Sequence, residues 1–326
     1  IGATGWLVWR LHDPVIALVT VATWSFMPYG IYYGRVILPE PFLLLFITLA
    51  LLSWYLWLRR TRGQDLWLVL TCLLGAIALL VKPVAIFFAP LFMGMLWQYS
   101  ERVVQKQRIH WFNLLKLLLA AVIAIVPLIW WRNWIQQFPT GIPAADWLLN
   151  GNGIRLKPAW WRWLFADRIG RLMFGYWGAP ILLLGVAISM PTTWKQLKIF
   201  SLLPGWLREF LSYLQQWGKQ SGAIIGGAVG MLIYLVVFAS GNVQHDYYQI
   251  ILLPVVAWLW ALGAVGLVRW APTVAQKVVT SLLMVGVGLF SIVFSWYFVK
   301  DYYHINNWAI VHAGEAVERL TPDDAL

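Results

Sequence analysis

A single cysteine in 326 residues, Cys72, excludes a disulfide framework and a cysteine-based zinc site. Charge is scarce too. Asp, Glu, Lys and Arg make up 11% of the chain, against about 25% in a soluble domain. Acids are the rarer sign, 13 Asp and Glu against 24 Lys and Arg. No Walker-type loop, GxSxG or HExxH motif is present, so a P-loop ATPase, a serine hydrolase of that type and a zincin have no support. Neither an internal repeat nor a low-complexity tract is detectable. The first residues do not form a signal peptide, and the chain opens on Ile1 and closes on Ala325-Leu326. The expectation is a fragment lacking both termini of a longer protein.

What remains is apolar. Hydrophobic residues are 61% of the chain and mean hydropathy is +0.71. A spanning helix needs about 20 mostly apolar residues, and nine candidate segments lie near 14–31, 41–58, 66–82, 83–97, 114–131, 172–190, 222–239, 247–268 and 276–298. The expected fold is an all-α polytopic membrane bundle. The third and fourth segments meet at Lys82-Pro83 with almost no loop, so 66–97 reads equally as one kinked span or two. The 24 Trp and 13 Tyr suit interfacial anchoring of helix ends. The net charge of +11 is a topology signal, because Lys and Arg gather on the cytoplasmic side; no nucleic-acid partner is expected.

With nine crossings, the loops around Arg59–Arg62, Glu101–His110, Trp194–Lys219 and Arg269–Lys277 share one side. With Arg10 and Lys116, that side holds 14 of the 24 Lys and Arg, which makes it cytoplasmic. The turn Tyr32–Pro41, the loop 132–171, the turn Gly241–Asp246 and the C-terminal tail are then exoplasmic. Asp65, Glu101, Glu209 and His110 read as solvated loop residues. The 132–171 loop is basic, and Pro158–Ile169 within it reads as an amphipathic helix lying in the membrane surface. Residues 1–300 are assigned to the transmembrane domain and 301–326 to the start of an exoplasmic soluble segment with spaced apolar residues, Ile305 to Leu320.

Four places carry chemistry. Arg35 and Glu40 put an arginine and a carboxylate at the mouth of a bundle, where charge costs free energy unless it has a partner or a task; Pro39 and Pro41 stiffen the backbone around Glu40. The plain alternative is a loop ion pair reaching water. Lys82 follows an apolar run and precedes Pro83; it suits a lipid phosphate as a point charge, or snorkels from a helix end. His245, Asp246, Tyr247 and Tyr248 supply donors and acceptors at a helix entrance, with Asp246 favoured by the helix dipole; a capped helix with aromatic anchors explains them as well, and a His-Asp pair does not specify a metal. In the basic loop, Arg155, Lys157 and Arg162 read as a phosphate clamp, or as arginines and lysines facing anionic headgroups.

These residues resemble bacterial family 39 glycosyltransferases of the GT-C superfamily, relatives of the protein O-mannosyltransferases and the lipid A aminoarabinose transferase. Tyr32-Tyr33-Gly34-Arg35-Val36-Ile37-Leu38-Pro39-Glu40-Pro41 is similar to the family's second exoplasmic acidic site, with Glu40 in place of the more usual Asp. Leu80-Val81-Lys82-Pro83, with Pro90, is similar to its Thr-Lys-Gly-Pro helix break. His245-Asp246-Tyr247-Tyr248, with Leu253-Pro254, is similar to its His-x-Tyr-Tyr…Leu-Pro helix entrance.

The resemblance implies inverting transfer of a sugar from a polyprenyl-phosphate donor to an acceptor hydroxyl on a lipid, glycan or protein, at the exoplasmic face of a bacterial cytoplasmic membrane. It implies that the principal catalytic base lies upstream of Ile1, so that the fragment is inactive alone. Glu40 is then expected to position the acceptor or help hold a divalent metal. Lys82, Arg35, Arg155, Lys157 and Arg162 are expected at the donor phosphate, and His245, Asp246, Tyr247 and Tyr248 near the sugar or phosphate. Two other classes stay open: a polysaccharide polymerase or ligase using lipid diphosphates, and a transporter, against which the one-sided charges and missing repeats speak.

Overall fold

The computed structural model describes residues 1–59, 64–99, 104–105, 108–109, 111–141, 147–150, 153–190, 201–217, 222–304 and 308–322. Arg60, Arg62, Glu101, His110 and Ile305, and the stretch 191–200 of the expected cytoplasmic loop, lie outside the described residues.

The chain is an all-α polytopic membrane protein. Its helices are α1 (Gly2–Leu11), α2 (Pro14–Phe26), α3 (Pro28–Arg35), α4 (Glu40–Arg59), α5 (Gln64–Val81), α6 (Ala89–Gln98), α7 (Trp111–Trp134), α8 (Trp147–Asn150), α9 (Pro158–Trp161), α10 (Ala179–Ser189), α11 (Gly205–Trp217), α12 (Gly222–Val237), α13 (Ala239–Gln244), α14 (Leu253–Trp270), α15 (Val274–Val299) and α16 (Trp308–Leu320). Strand pairing among the described residues is a two-residue antiparallel ladder, Val104–Gln105 with Arg108–Ile109. Among the described residues, four helices are long and apolar enough to cross a membrane, five if the bent pair α2 and α3 counts as one, and four shorter apolar helices occupy the remaining expected positions.

Local chemistry explains where the helices break. The Asp13 carboxylate accepts from the backbone N–H groups of Val15 and Ile16 and starts α2, with Pro14 at its first position. The span expected as 14–31 is not straight. Met27 precedes Pro28, is extended at φ −71° and ψ 112°, and the two helices meet at 61°; a residue before proline is pushed out of the helical region. Tyr32–Arg35 consequently belong to the last turn of α3, and Glu40 opens α4, so the polar turn shrinks to residues 36–39.

The ambiguity at Lys82-Pro83 resolves as two spans. Lys82 is extended at φ −158°, and the chain doubles back through 3₁₀ turns, Pro83–Phe88, into α6. The Trp54 indole of α4 donates to the Phe92 carbonyl, and Tyr99, just past α6, packs on Tyr55 and under Arg59 at the far end of α4. Six residues at about 2 Å rise and ten at about 1.5 Å reach roughly 27 Å, close to the hydrocarbon thickness.

The core is organised around α14. Every residue from Gln249 to Gly266 is buried, and α14 is apolar on every face through that run, the pattern of a helix surrounded by protein. Small residues let backbones touch. A Cβ on Gly185 of α10 would lie 1.8 Å from the Leu259 carbonyl oxygen of α14. The series Gly222, Gly226, Gly230 on α12 does the same against α6 and the turns before it; a Cβ on Gly226 would lie 2.0 Å from the Pro90 carbonyl oxygen.

The segment expected as a surface helix over 158–169 is helical but widened. α9 runs into a π-helix, Arg162–Met173. Its apolar face is buried against the bundle, with Trp160, Leu164, Ile169, Leu172 and Met173 in the core and Trp161, Trp163 and Phe165 exposed. The Trp160 indole donates to the Ala239 carbonyl across the bundle.

Candidate functional site

Polar groups gather at two ends of the bundle. At one, Asp13 binds Arg269 at 2.8 Å and Asp65 binds Lys116 at 2.8 Å. At the other lies the candidate site, where α3, α4, the α5 terminus, the π-helix, the 3₁₀ stretch Asp246–Leu252 and the turn Lys300–His304 meet.

Glu40 is 1% exposed and its Oε1 pairs with the Lys82 ammonium, whose side chain is 24% exposed. The two come together because α4 begins where α5 ends. The other carboxylate oxygen, Oε2, is buried and has no hydrogen-bond partner. Lys82 also lies over the Tyr248 ring, 4.4 Å from its centroid, and 5.9 Å from that of Tyr247; cation–π attraction reaches to about 6 Å. The partner of the Glu40 carboxylate is thus Lys82 and not Arg35, which is exposed at the end of α3.

Asp246 anchors a second cluster. Its Oδ2 faces Arg168 Nη1 at 3.6 Å, and the Tyr33 and Tyr302 side chains lie beside its carboxylate. The buried Tyr29 hydroxyl donates to the Asp246 backbone carbonyl, and the Tyr234 hydroxyl to that of Tyr248 at 3.1 Å. The Gln249 amide donates to both oxygens of Asn242 at 2.8 Å, and both residues are fully buried. His245 packs its ring against Trp147, Tyr247 and Tyr248.

Glu40, Lys82, Tyr247 and Tyr248 therefore form one cluster, with the His245 ring packed at a tilt against its tyrosines and Asp246 next to it in sequence. Lys157 and Arg162 are exposed and Arg155 is half-buried, its backbone N–H donating to Asn150. The basic-loop residue that reaches the cluster is Arg168. Sequence reasoning passed over it, together with Tyr29, Tyr33, Tyr234 and Tyr302. Tyr302 follows the last long helix, where an aromatic pair is easily taken for interfacial anchoring.

Among the described residues no group of three or more His, Cys, Asp or Glu side chains converges as a metal site. Chemically, the cluster offers a cation beside a dry carboxylate with one free oxygen, ringed by tyrosines.

Residues 3–137 match the model of a protein family described as dolichyl-phosphate-mannose-protein mannosyltransferase. Glu40 and Lys82 fall inside the matched stretch, and Arg168, Asp246 and Tyr302 beyond it. This N-terminal part is similar to a family of membrane glycosyltransferases. No curated protein and no solved structure matches the chain.

Proposed function

We propose that this integral membrane protein belongs to a glycosyltransferase that moves a sugar from a polyprenyl-phosphate carrier to an acceptor hydroxyl at the end of the bundle holding Glu40 and Lys82. That end faces the exoplasm, because Arg59, Lys116 and Arg269 collect at the other, the cytoplasmic pattern. The observation that carries the reading is the Glu40–Lys82 pair with its orphaned Oε2, in a stretch similar to mannosyltransferases.

The two groups divide the work. A departing lipid phosphate gathers negative charge and needs a cation fixed beforehand; Lys82 supplies it. Glu40 holds that ammonium through Oε1 and offers Oε2 to a hydroxyl of the acceptor or of the sugar, orienting it for attack. Tyr247 and Tyr248 keep Lys82 aimed and narrow the access of water. A divalent metal at Glu40 would compete with the ammonium for the same carboxylate, so the reaction is proposed to run without one.

The test is transfer from radiolabelled polyprenyl-phosphate mannose to hydroxyl acceptors by the full-length protein in vesicles. Glu40→Gln and Lys82→Met each reduce transfer by about 100-fold or more. Near-normal transfer by Glu40→Gln would remove the carboxylate from the mechanism.

A further inference from the structure

We propose that Arg168 is a positioning residue for this site. It clamps Asp246, and so fixes the turn that seats Tyr247 and Tyr248 on Lys82; Tyr302, from the segment after the last long helix, closes the clamp. The inference rests on the phosphate role proposed for Lys82.

Arg168 is held on three sides. Its guanidinium lies over the Trp163 ring, 5.6 Å from the centroid. Its Nη2 donates to the Val243 carbonyl at 3.1 Å, and its Nη1 faces the Asp246 carboxylate. The side chain is 12% exposed. The π-helix makes this geometry: with i→i+5 pairing, Arg168 comes back over Trp163, five residues earlier. Wide turns of this kind recur at functional positions.

The turn it holds needs holding. Asp246–Leu252 is 3₁₀, a helix type with poorer hydrogen-bond geometry and seldom more than a few residues long. Its first residue is met from three elements, Arg168 of the π-helix, Tyr29 and Tyr33 of α3 and Tyr302 of the turn Lys300–His304, and Tyr234 of α12 holds the carbonyl of Tyr248, two residues on. The turn Lys300–His304 is itself tied to α3, since the Tyr32 hydroxyl donates to the Tyr302 carbonyl at 3.2 Å. Arg168 contacts the turn, not Lys82 or Glu40. Its effect on them must pass through Asp246 and the two residues that follow it.

The experiment is equilibrium binding of undecaprenyl phosphate to the purified full chain in detergent, read by tryptophan quenching, with thermal unfolding in parallel. Expected are at least 10-fold weaker binding for Arg168→Met, partial rescue by Arg168→Lys, which keeps charge but cannot reach carbonyl and carboxylate together, and several-fold weaker binding for Tyr302→Phe. In an Asp246→Asn background, neither Arg168→Met nor Tyr302→Phe weakens binding further. Wild-type binding by Arg168→Met, with only a lower melting temperature, overturns the inference. So do effects of Arg168→Met that add fully to those of Asp246→Asn, since Arg168 would then bind phosphate itself. If Arg168→Met does not fold, the Tyr302→Phe/Asp246→Asn cycle decides alone, additivity being the refuting result. Lys82→Met separates the two levels: equal binding by wild type and Lys82→Met removes the phosphate role of Lys82 and this inference with it, whereas weak binding by Lys82→Met beside normal binding by Arg168→Met removes only the positioning role.

Discussion

The Lys82 ammonium is shared between the Glu40 carboxylate and the face of the Tyr248 ring, 4.4 Å from its centroid. One cation at the end of α5 thus joins α4 to Tyr248 at the helix entrance, 166 positions further along the sequence. A buried carboxylate is stable there because its counter-charge is fixed and not merely near.

Removing one partner should cost more than removing both. Glu40→Gln leaves the ammonium without its carboxylate and is expected to lower stability by about 3 kcal/mol, the low end for a broken buried pair because Lys82 is partly exposed. The double variant Glu40→Gln/Lys82→Met regains at least half of that loss. Thermal unfolding of the three proteins in one detergent checks it; a double variant as unstable as the sum of the singles refutes the pairing.

At the opposite end, burial lowers the pKa of His12 to about 4, with Asp13 opposing and Arg269 reinforcing the shift. The unfolded chain therefore takes up a proton near pH 6.5 that the folded one refuses until about pH 4. Stability contributed by neutral His12 is complete above pH 6.5 and is lost on acidification across that window, by up to about 3 kcal/mol. His12→Gln should flatten the melting temperature between pH 6.5 and 4; an unchanged slope would place the acid sensitivity elsewhere.

Backbone contact between helices gives a steric prediction. Gly185→Ala drives a methyl group into the Leu259 carbonyl and is expected to cost at least 1–3 kcal/mol, roughly the range for overpacking. Gly286→Ala on α15 meets nothing within 4 Å and should be neutral or gain up to about 1 kcal/mol from helix propensity. Chemical denaturation of both variants tests the contrast, which vanishes if α10 and α14 do not touch.

Much of the bundle was legible in the chain. Each of the nine apolar segments holds an apolar helix, because hydrocarbon length is a strict ruler. Glu40 and Lys82 stood out because lone charges between apolar runs need partners, though nothing local said they were each other's. The bend at Met27 was readable from Pro28 and was missed because hydropathy runs through it. The four-residue spacing of Gly222, Gly226 and Gly230 was likewise a packing signal in plain sight. Arg168 was not recoverable. Amphipathic periodicity assumes 3.6 residues per turn, and only the π-helix turns this arginine inward to Val243 and Asp246.

The central place of α14 has a consequence for how the protein is made. The helix on which α2 and α10 pack begins only at Leu253, so both are made before the helix that buries them. Until then α2 and α10 stand in the bilayer with the faces that α14 later covers turned to lipid. The Glu40–Lys82 hairpin can close at once, but its tyrosine wall arrives only with the turn at Asp246 and its last brace with Tyr302. The site is thus assembled in the order of synthesis, its carboxylate and cation first and the tyrosines that enclose them later.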